Sequence, residues 1–313
     1  MFNYGIYPTM ITPYKQNGEI DFAKAEDYVE WYFKKGCAGI FAVCQSSEIH
    51  YLSVDERVEL NKVVFRKAKE LEKKYGRKMT IVSSGHVADS IEEQAYELNR
   101  IVESGTDALI LITNRLDQYN EGDDVFIRNA EKLLKLLPEN VALGLYECPN
   151  PYKRLVTPRI LEWCLSVGRF RFMKDTCCNA ELIRERLQQL EGTEFKLLNA
   201  NCQTLLSSLR NGGAGYCGIM ANYHPELYVW LYENYKKNPQ KAEELQSVIG
   251  TAGFTEVGLP YPLTAKYHMC LEGLVTENIA RNRKSEELTE YSKDCTYQMR
   301  TLCKLAYENI CKV

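Results

Sequence analysis

Short apolar segments alternate with longer amphipathic segments through the first 235 residues of the chain. The apolar segments are five or six residues long, which is typical of buried strands. They predict strands at residues 6–11, 39–43, 79–83, 108–112, 141–146, 170–174, 195–199 and 215–220. Between them, apolar residues recur three and four positions apart, as in the segment 22–33 that precedes Gly36. This spacing predicts a helix after each strand.

Helix start signals support this alternation. Ser53 and Glu56 have the spacing of a capping box, in which the serine oxygen accepts a backbone N–H and the glutamate bonds back to the serine. Thr157 followed by Pro158 has the pattern of an N-cap and a first-turn proline. We therefore expect helices to begin at these positions.

Eight strands that alternate with helices predict a closed parallel sheet of the α/β class, a (β/α)8 TIM barrel. We expect this barrel to occupy residues 1–224, with its active site at the C-terminal ends of the strands. Residues 225–313 are expected to supply the last barrel helix and a C-terminal helical extension, with breaks near Pro239 and Pro260.

The charge and the N-terminus of the chain argue against several classes of partner. The formal net charge is -3, which gives no electrostatic argument for binding nucleic acid. No window is apolar enough to span a membrane, and the N-terminus lacks the basic and apolar regions of a secretory signal. These features predict a cytoplasmic protein that binds neither nucleic acid nor membrane.

Twelve cysteines and four histidines raise the question of disulfides or a metal site. A reducing cytoplasm argues against disulfides, and cysteines inside predicted strands and helices are expected to be small buried filler. The chain has no Cys-x-x-Cys pair, so neither a metal nor another cofactor is predicted. A soft-metal site is the alternative, because four cysteines are expected near the barrel mouth: Cys44, Cys148, Cys202 and Cys217.

Lys174 ends the predicted strand 170–174, which directs its amine into the barrel mouth. Burial favours the neutral form of a lysine amine, and a neutral amine can attack a ketone to form an iminium, or Schiff base. Tyr146 ends the preceding strand, where its phenol can transfer protons during these steps. Taken singly, the two residues also fit a surface lysine at a strand end and a core tyrosine.

The segment after the second strand carries Ser46 and Ser47, whose hydroxyl and backbone N–H groups suit a substrate carboxylate. A polar turn before the Ser53 helix is the alternative interpretation of the same residues. Both interpretations stay open from the residues alone.

Several motifs recur in a fixed order along nearly the whole chain: YPTMITPY at residues 7–14, GEID at 18–21, SE at 47–48, LSVDER at 52–57, YECP at 146–149 and FMKD at 172–175. In type, order and spacing they resemble the motifs of the dihydrodipicolinate synthase/N-acetylneuraminate lyase family of Schiff-base (class I) aldolases. Because several motifs match together, the resemblance is more specific than any one of them.

The resemblance implies a role for each candidate residue. Lys174 would form the Schiff base, Tyr146 would transfer protons, and Ser46 would bond to the tyrosine or to the substrate carboxylate. The other substrate contacts expected are Gln45, Ser47, Thr176, Cys217 and Arg115. The resemblance also implies a small-molecule 2-oxo acid as substrate, a structural role for Glu48, and a homotetramer built as a dimer of dimers.

The chain departs from the family at positions that concern the second substrate. Gln45 stands in place of a threonine or serine, and TNR at residues 113–115 replaces a tyrosine motif that the synthases use in a proton relay. Pro151 stands where the synthases place an arginine for the carboxylate of the aldehyde substrate. Three basic residues are candidates to replace that arginine: Arg115, Lys153 and Arg154.

The predicted function is a lyase of the class I aldolase type, which cleaves or forms a carbon–carbon bond of pyruvate or another 2-oxo acid. Residues 202–203 (CQ) replace an acidic pair of the neuraminate lyases, so neither activity that names the family fits in full. One alternative is a dehydratase of a deoxy sugar acid that uses the same iminium. Another is a non-catalytic barrel that binds a 2-oxo acid; the altered Gln45 favours it, and the retained Lys174 and Tyr146 favour an enzyme.

Overall fold

The computed structural model describes residues 2–312, which form one barrel of parallel strands. The strands are β1 (Gly5–Pro8), β2 (Gly39–Phe41), β3 (Thr80–Ser83), β4 (Ala108–Ile112), β5 (Leu143–Tyr146), β6 (Phe170–Asp175), β7 (Lys196–Asn199) and β8 (Gly215–Gly218). They pair in the order β1-β8-β7-β6-β5-β4-β3-β2.

Backbone hydrogen bonds between the β1 and β2 segments close the ring. The Met10 N–H donates to the Phe41 carbonyl at 3.0 Å, and the Ala38 N–H donates to the Ile6 carbonyl at 3.0 Å. Every strand therefore has a neighbour on both sides, and the predicted TIM barrel is confirmed.

A helix follows each strand, as the periodicity predicts. The barrel helices are α1 (Phe22–Lys34), α2 (Val54–Tyr75), α3 (Ile91–Ser104), α4 (Asp123–Leu134), α5 (Pro158–Val167), α6 (Ala180–Gln189), α7 (Leu205–Arg210) and α8 (Pro225–Asn234). The capping box of α2 is present: Ser53 Oγ accepts from the Glu56 N–H at 3.2 Å, and Glu56 Oε2 accepts from the Ser53 N–H at 2.8 Å. Thr157 caps α5 through a single bond, in which its Oγ1 accepts from the Ile160 N–H at 3.2 Å.

Six of the eight strands are shorter than their apolar segments predict, among them the first and the last. The first was expected at 6–11 and ends at Pro8, and the last was expected at 215–220 and ends at Gly218, where the 3₁₀ helix Ile219–Asn222 begins. Ile11 and Met220 are nevertheless buried. The loops above the barrel are buried, and their sequences are therefore as apolar as those of the strands. Hydrophobicity thus does not show where the pairing between strands ends.

Aromatic side chains fill the barrel interior below the site. The Tyr7 and Phe172 rings lie 5.2 Å apart between centroids, and the Phe41 and Tyr146 rings lie 5.5 Å apart. All four residues are buried. Gly39 makes room for this packing, because a Cβ there would lie 2.2 Å from the Tyr7 ring.

The C-terminal extension consists of α9 (Pro239–Glu256), α10 (Leu263–Leu271) and α11 (Glu290–Ala306). Its helices break where the prolines predict, since α9 begins at Pro239 and ends before Pro260. The division of the chain into residues 1–224 and 225–313 remains a prediction. Within residues 2–312, no helix combines the length and apolar character needed to cross a membrane.

Glu48 joins the extension to the loop after β2. Its buried carboxylate accepts from Lys266 Nζ at 2.5 Å, from the Arg281 N–H at 2.6 Å and from the Asn282 N–H at 3.0 Å. Arg281 also pairs with Glu56 at 2.7 Å. These bonds hold the segment after α10 over the C-terminal ends of the strands.

Candidate active site

A cavity of about 450 Å³ opens at the C-terminal ends of the strands. The barrel contributes Lys174 and Tyr146 to its lining, and the loop after β2 contributes Gln45 and Ser46. The extension supplies further lining residues: Gly253, Val257, Tyr261, Pro262, Asn282 and Arg283. The cavity is therefore built jointly by the barrel mouth and the extension, and its volume is in the range of small-molecule sites.

Lys174 lies near the end of β6 with only 4% of its surface exposed. Its neighbour across the sheet is Tyr146 at the end of β5, because the two residues are in register. The Lys174 amine lies over the Tyr146 ring, 4.0 Å from the centroid, and 5.6 Å from the centroid of Phe41. Among residues 2–312 no carboxylate lies within ion-pair distance of this amine.

The Tyr146 phenol donates a hydrogen bond to Oε1 of Gln45 at 3.3 Å. The Cys148 thiol donates to the same oxygen at 3.2 Å. Burial, with the nearby Cys148 and Cys44 thiols, raises the pKa of Tyr146 well above its ordinary value. The phenol therefore stays protonated at neutral pH and enters the site as a donor.

Ser46 lines the cavity. One of its two predicted roles was a hydrogen bond to Tyr146, and the structure does not show that bond. Its Oγ donates to Oγ1 of Thr9 at 3.0 Å instead, so Gln45 takes the place predicted for Ser46 beside the tyrosine. The backbone N–H groups of Gln45 and Ser46, at the start of the 3₁₀ helix Gln45–Ser47, donate to no other residue in the described range 2–312. Unpaired N–H groups at the start of such a turn can bind an anion.

The structure does not bring the Ser47 side chain to the cavity. Its side chain is fully buried, and its hydroxyl bonds to the carbonyls of Met10 at 2.7 Å and Ala42 at 2.9 Å. It also accepts from the Cys44 N–H at 3.1 Å. Ser47 thus fixes the shape of the loop from below, and its neighbours Gln45 and Ser46 line the cavity.

Thr176 and Cys217 differ in their placement. Thr176 lines the cavity, with its hydroxyl bonded to the Glu147 carbonyl at 2.6 Å. Cys217 is fully buried below the cavity, where burial raises the pKa of its thiol to about 12 and the nearby Lys174 partly offsets this shift. The role that the resemblance implies for Cys217 belongs to its backbone carbonyl, and it stays a prediction.

Arg115 lies outside the cavity, so the structure does not bring it together with the other predicted substrate contacts. Its guanidinium bonds to Asp89 at 3.0 Å and to the Val87 carbonyl at 3.3 Å. Arg154 is also committed elsewhere, because it pairs with Asp117 at 2.6 Å and with Asp123 at 2.7 Å. Of the three basic candidates, Lys153 alone lines the cavity.

Two cysteines, Cys178 and Cys202, line the cavity, whereas Cys44 and Cys217 are buried beneath it. All twelve cysteines are free thiols. Within residues 2–312 no three or more histidine, cysteine or acidic side chains are placed to hold a metal ion. The soft-metal alternative therefore has no cluster of ligands to support it.

The model of the dihydrodipicolinate synthetase family matches residues 3–114 and 145–301. The chain belongs to this family. The matched ranges include Lys174 and Tyr146 and the loop that carries Gln45 and Ser46, and the predicted family is confirmed.

Individual relatives of this family member are distant in sequence. The 4-hydroxy-tetrahydrodipicolinate synthase of Haloarcula marismortui is 26% identical over 71% of this chain and 69% of its own length. The sialic acid aldolase of Ruminococcus gnavus superposes with a TM-score of 0.86 at 16% identity, over 99% of this chain and 100% of that one. A prophage protein of E. coli K12, solved in complex with pyruvate, superposes with a TM-score of 0.81 at 18% identity, over 97% and 98% of the two chains.

Sequence reasoning missed the residues that the extension places in the cavity, above all Tyr261 and Arg283. It also missed Arg186, which is buried between Glu147 and Asp175, the residues that directly follow Tyr146 and Lys174. The buried Arg186 had one signal, since it falls on the apolar face of α6. Tyr261 and Arg283 lie outside regular structure and carry no periodic signal.

Proposed function

We propose that this chain is a class I aldolase or lyase that forms a Schiff base between Lys174 and pyruvate or another 2-oxo acid. The observation that carries the proposal is the placement of Lys174, whose amine is buried in the cavity against the Tyr146 ring. A buried lysine with a purely structural role is normally paired. Lys266 is such a lysine, with Glu48 at 2.5 Å, and Lys174 has no such partner among the described residues. Membership of a family of lyases supports the same reaction class.

The carboxylate of the 2-oxo acid has a binding place beside Lys174. The free N–H groups of Gln45 and Ser46 and the Ser46 hydroxyl all belong to the loop that lines the cavity. Backbone N–H groups at the start of a helical turn attract anions, because their dipoles point outward. We place the carboxylate there, which presents the keto carbon to the lysine.

The proposed reaction begins when the neutral Lys174 amine attacks the keto carbon. The resulting carbinolamine loses its oxygen as water, and the bond between nitrogen and carbon becomes the iminium. In cleavage, the electrons of the bond between C3 and C4 move into the iminium to give an enamine, and the C4 hydroxyl loses its proton as the aldehyde departs. Tyr146 lies beside the amine and is placed to donate and retrieve the protons of these steps.

The second substrate is proposed to carry an anionic group. The charged residues that line the cavity are Lys174, Lys153 and Arg283, and no aspartate or glutamate lines it in the described part of the chain. Lys174 is assigned to the keto carbon, so the remaining cations of the lining are Lys153, whose amine donates to the Thr176 carbonyl at 2.7 Å, and Arg283, which also pairs with Glu287 at 2.8 Å. A carboxylate or phosphate on the aldehyde fits this charge distribution.

We further propose that the protein works in the cytoplasm as a homotetramer. Helix α11 exposes a set of apolar and aromatic side chains that subunit contact would cover: Tyr291, Tyr297, Leu302 and Leu305. Light scattering coupled to size-exclusion chromatography tests the tetramer. A monomer mass at micromolar concentration contradicts it.

Borohydride trapping tests the Schiff base. The protein is incubated with pyruvate, reduced, and analysed by intact mass and peptide mapping, in parallel with Lys174→Ala and with Lys153→Ala as a matched lysine control in the same cavity. We expect a pyruvate-derived mass increase on Lys174 in the wild type and in Lys153→Ala, and none in Lys174→Ala. The absence of an adduct with pyruvate and with longer 2-oxo acids overturns the enzyme proposal and favours the binding barrel.

The dehydratase alternative shares the iminium and differs in its products. A lyase releases an aldehyde from a sugar acid, whereas a dehydratase releases only water and retains every carbon atom. Product analysis by mass spectrometry therefore separates the two activities once the adduct is established.

A further inference from the structure

Tyr216 lines the cavity although its side chain is fully buried. It belongs to β8, where it pairs in register with Ile6 of β1 and Asn199 of β7. Its ring leaves the sheet toward α8 and stacks on the ring of Tyr228, with 4.5 Å between the centroids. The ring is therefore held by the packing of β8 against α8, and its position is fixed before a ligand binds.

Gly218 leaves the space into which the Tyr216 hydroxyl reaches. A Cβ at position 218 would collide with Tyr216 Oη and would lie 2.8 Å from the Ala200 carbonyl oxygen. Gly218 and Ala200 both line the cavity. The hydroxyl thus lies at the edge of the cavity between these two residues, at the far end of a ring that is packed on α8.

The Tyr216 hydroxyl has no hydrogen-bond partner among the described residues. The Met220 N–H favours the ionised form of the phenol, but an N–H is a donor and cannot accept the phenol proton. Burial raises the pKa of Tyr216 well above its ordinary value, so the phenol keeps this proton at neutral pH. Three other buried phenols, those of Tyr14, Tyr28 and Tyr228, also lack a partner, and none of them lines the cavity. A ligand in the cavity can therefore supply the acceptor that only Tyr216 of these four is placed to use.

The loop after β7 carries the other polar side chains on this side of the cavity, and they are bonded within the protein. Asn201 Nδ2 donates to Gln203 Oε1 at 2.8 Å, and the Cys202 thiol donates to the same oxygen at 3.4 Å. Gln203 Nε2 donates to the Gly250 carbonyl of α9 at 3.2 Å. On this side of the cavity, the Tyr216 phenol is thus the polar side chain whose hydrogen bonding is left entirely unmet.

We infer that Tyr216 determines specificity for the second substrate, and that its phenol donates a hydrogen bond to a neutral oxygen, such as a hydroxyl, that the aldehyde carries beyond its reacting carbonyl. The oxygen is neutral because one hydrogen bond at a fully buried position does not offset the desolvation of a charge. The anionic group assigned to Lys153 and Arg283 is then a separate part of the same molecule. The inference rests on the proposed function, because it assumes that an aldehyde is the second substrate.

Aldehydes that differ in their hydroxyl groups test the inference. The condensation of pyruvate with erythrose, glyceraldehyde, lactaldehyde and propanal is followed in the wild type and in Tyr216→Phe, which removes only the phenol oxygen. We expect the wild type to use at least one hydroxyaldehyde with a kcat/KM about tenfold or more above that for propanal, because propanal leaves the phenol unpaired. Tyr216→Phe should reduce this preference by about tenfold and change kcat/KM for propanal by less than about threefold.

Tyr228→Phe is the matched control, because it removes the unpartnered phenol of the other ring in the same stack, and Tyr228 does not line the cavity. It should leave the preference for the hydroxyaldehyde unchanged, and all three proteins should form the pyruvate adduct on Lys174 under borohydride.

Three outcomes overturn the inference while the adduct still forms in the wild type. They are a preference that Tyr216→Phe leaves unchanged or that Tyr228→Phe reduces equally, an equal loss of kcat/KM for hydroxyaldehydes and propanal, and failure of the wild type to condense any hydroxyaldehyde. Absence of the adduct in the wild type is a different outcome, because it overturns the proposed function and the inference with it.

Discussion

The Lys174 amine lies on the face of the Tyr146 ring, 4.0 Å from its centroid. The two residues are paired in register on neighbouring strands, so their side chains leave the sheet at the same height. The tyrosine thereby packs against the nucleophile with its ring and reaches Gln45 with its hydroxyl, at 3.3 Å. One side chain can therefore hold the amine in place and transfer protons.

Tyr146→Phe separates these two contributions. The ring that packs on Lys174 remains, so we expect the pyruvate adduct still to form under borohydride. Turnover should fall by about 10² to 10⁴, the usual contribution of a proton-transferring group. Steady-state kinetics and trapping on the same preparation check this. Turnover within about threefold of wild type contradicts the assignment of Tyr146.

Gln45 is expected to support Tyr146 through its side-chain oxygen. Gln45→Leu keeps a similar size and leaves the buried Tyr146 phenol without its acceptor, whereas the Cys148 thiol keeps the Asn150 carbonyl at 3.5 Å. An unsatisfied buried donor costs about 1–3 kcal/mol, so we expect roughly a tenfold or greater loss of kcat/KM. Gln203→Leu changes another glutamine of the cavity that does not contact Tyr146, and it should have a smaller effect. Equal losses in the two variants argue against the role of Gln45.

Arg186 is expected to be essential for stability. It is buried with the carboxylates of Glu147, at 2.7 Å, and Asp175. Arg186→Leu leaves both carboxylates without a cation, which should lower the free energy of unfolding by about 3–5 kcal/mol. Arg159→Leu breaks an exposed pair with Asp124 and should cost less than about 1 kcal/mol. Urea denaturation of both variants gives the comparison, and similar losses would falsify the prediction.

Glu256 is expected to make stability depend on pH. Burial raises its pKa from 4.5 to about 7, so the folded state binds the proton more tightly than the unfolded state. The stabilisation from the protonated carboxyl is complete below pH 4.5 and is lost as the pH rises through about 7. The free energy of unfolding of the wild type should therefore fall by roughly 2 kcal/mol relative to that of Glu256→Gln as the pH rises from 5 to 8. The buried histidines titrate in the same way in the wild type and in Glu256→Gln, so they do not contribute to the difference. If the free energies of unfolding of the two proteins change in parallel with pH, the pH dependence does not come from Glu256.

Arg283 and Arg115 should differ in their effect on the second substrate. Arg283 lines the cavity, whereas Arg115 is held outside it by Asp89. Arg283→Ala should raise the KM for an aldehyde with a terminal carboxylate by about tenfold, and leave the KM for the corresponding neutral amide nearly unchanged. Arg115→Ala should change neither. An equal effect of Arg283→Ala on both aldehydes removes the support for an anionic second substrate.

The local pattern of the sequence determined the barrel and the placement of Lys174 beside Tyr146. Strand and helix periodicities depend on which side of a segment is buried, and the capping signals at Ser53 and Thr157 act over three residues. The sequence alone predicts that Lys174 and Tyr146 lie close together, because each stands at the end of one of two adjacent strands in a parallel sheet. The resemblance to the family added the roles of these residues and the confirmed family itself.

Only the tertiary structure decided which polar side chains reach the cavity. Ser46 and Ser47 are neighbours in sequence, yet one hydroxyl lines the cavity and the other bonds to buried carbonyls of Met10 and Ala42. Arg115 pairs with Asp89 and lies outside the cavity, whereas Tyr261 and Arg283 reach the cavity from the C-terminal extension. The physical reason is that a loop side chain takes the direction set by its hydrogen-bond partners, and here those partners come from distant parts of the chain.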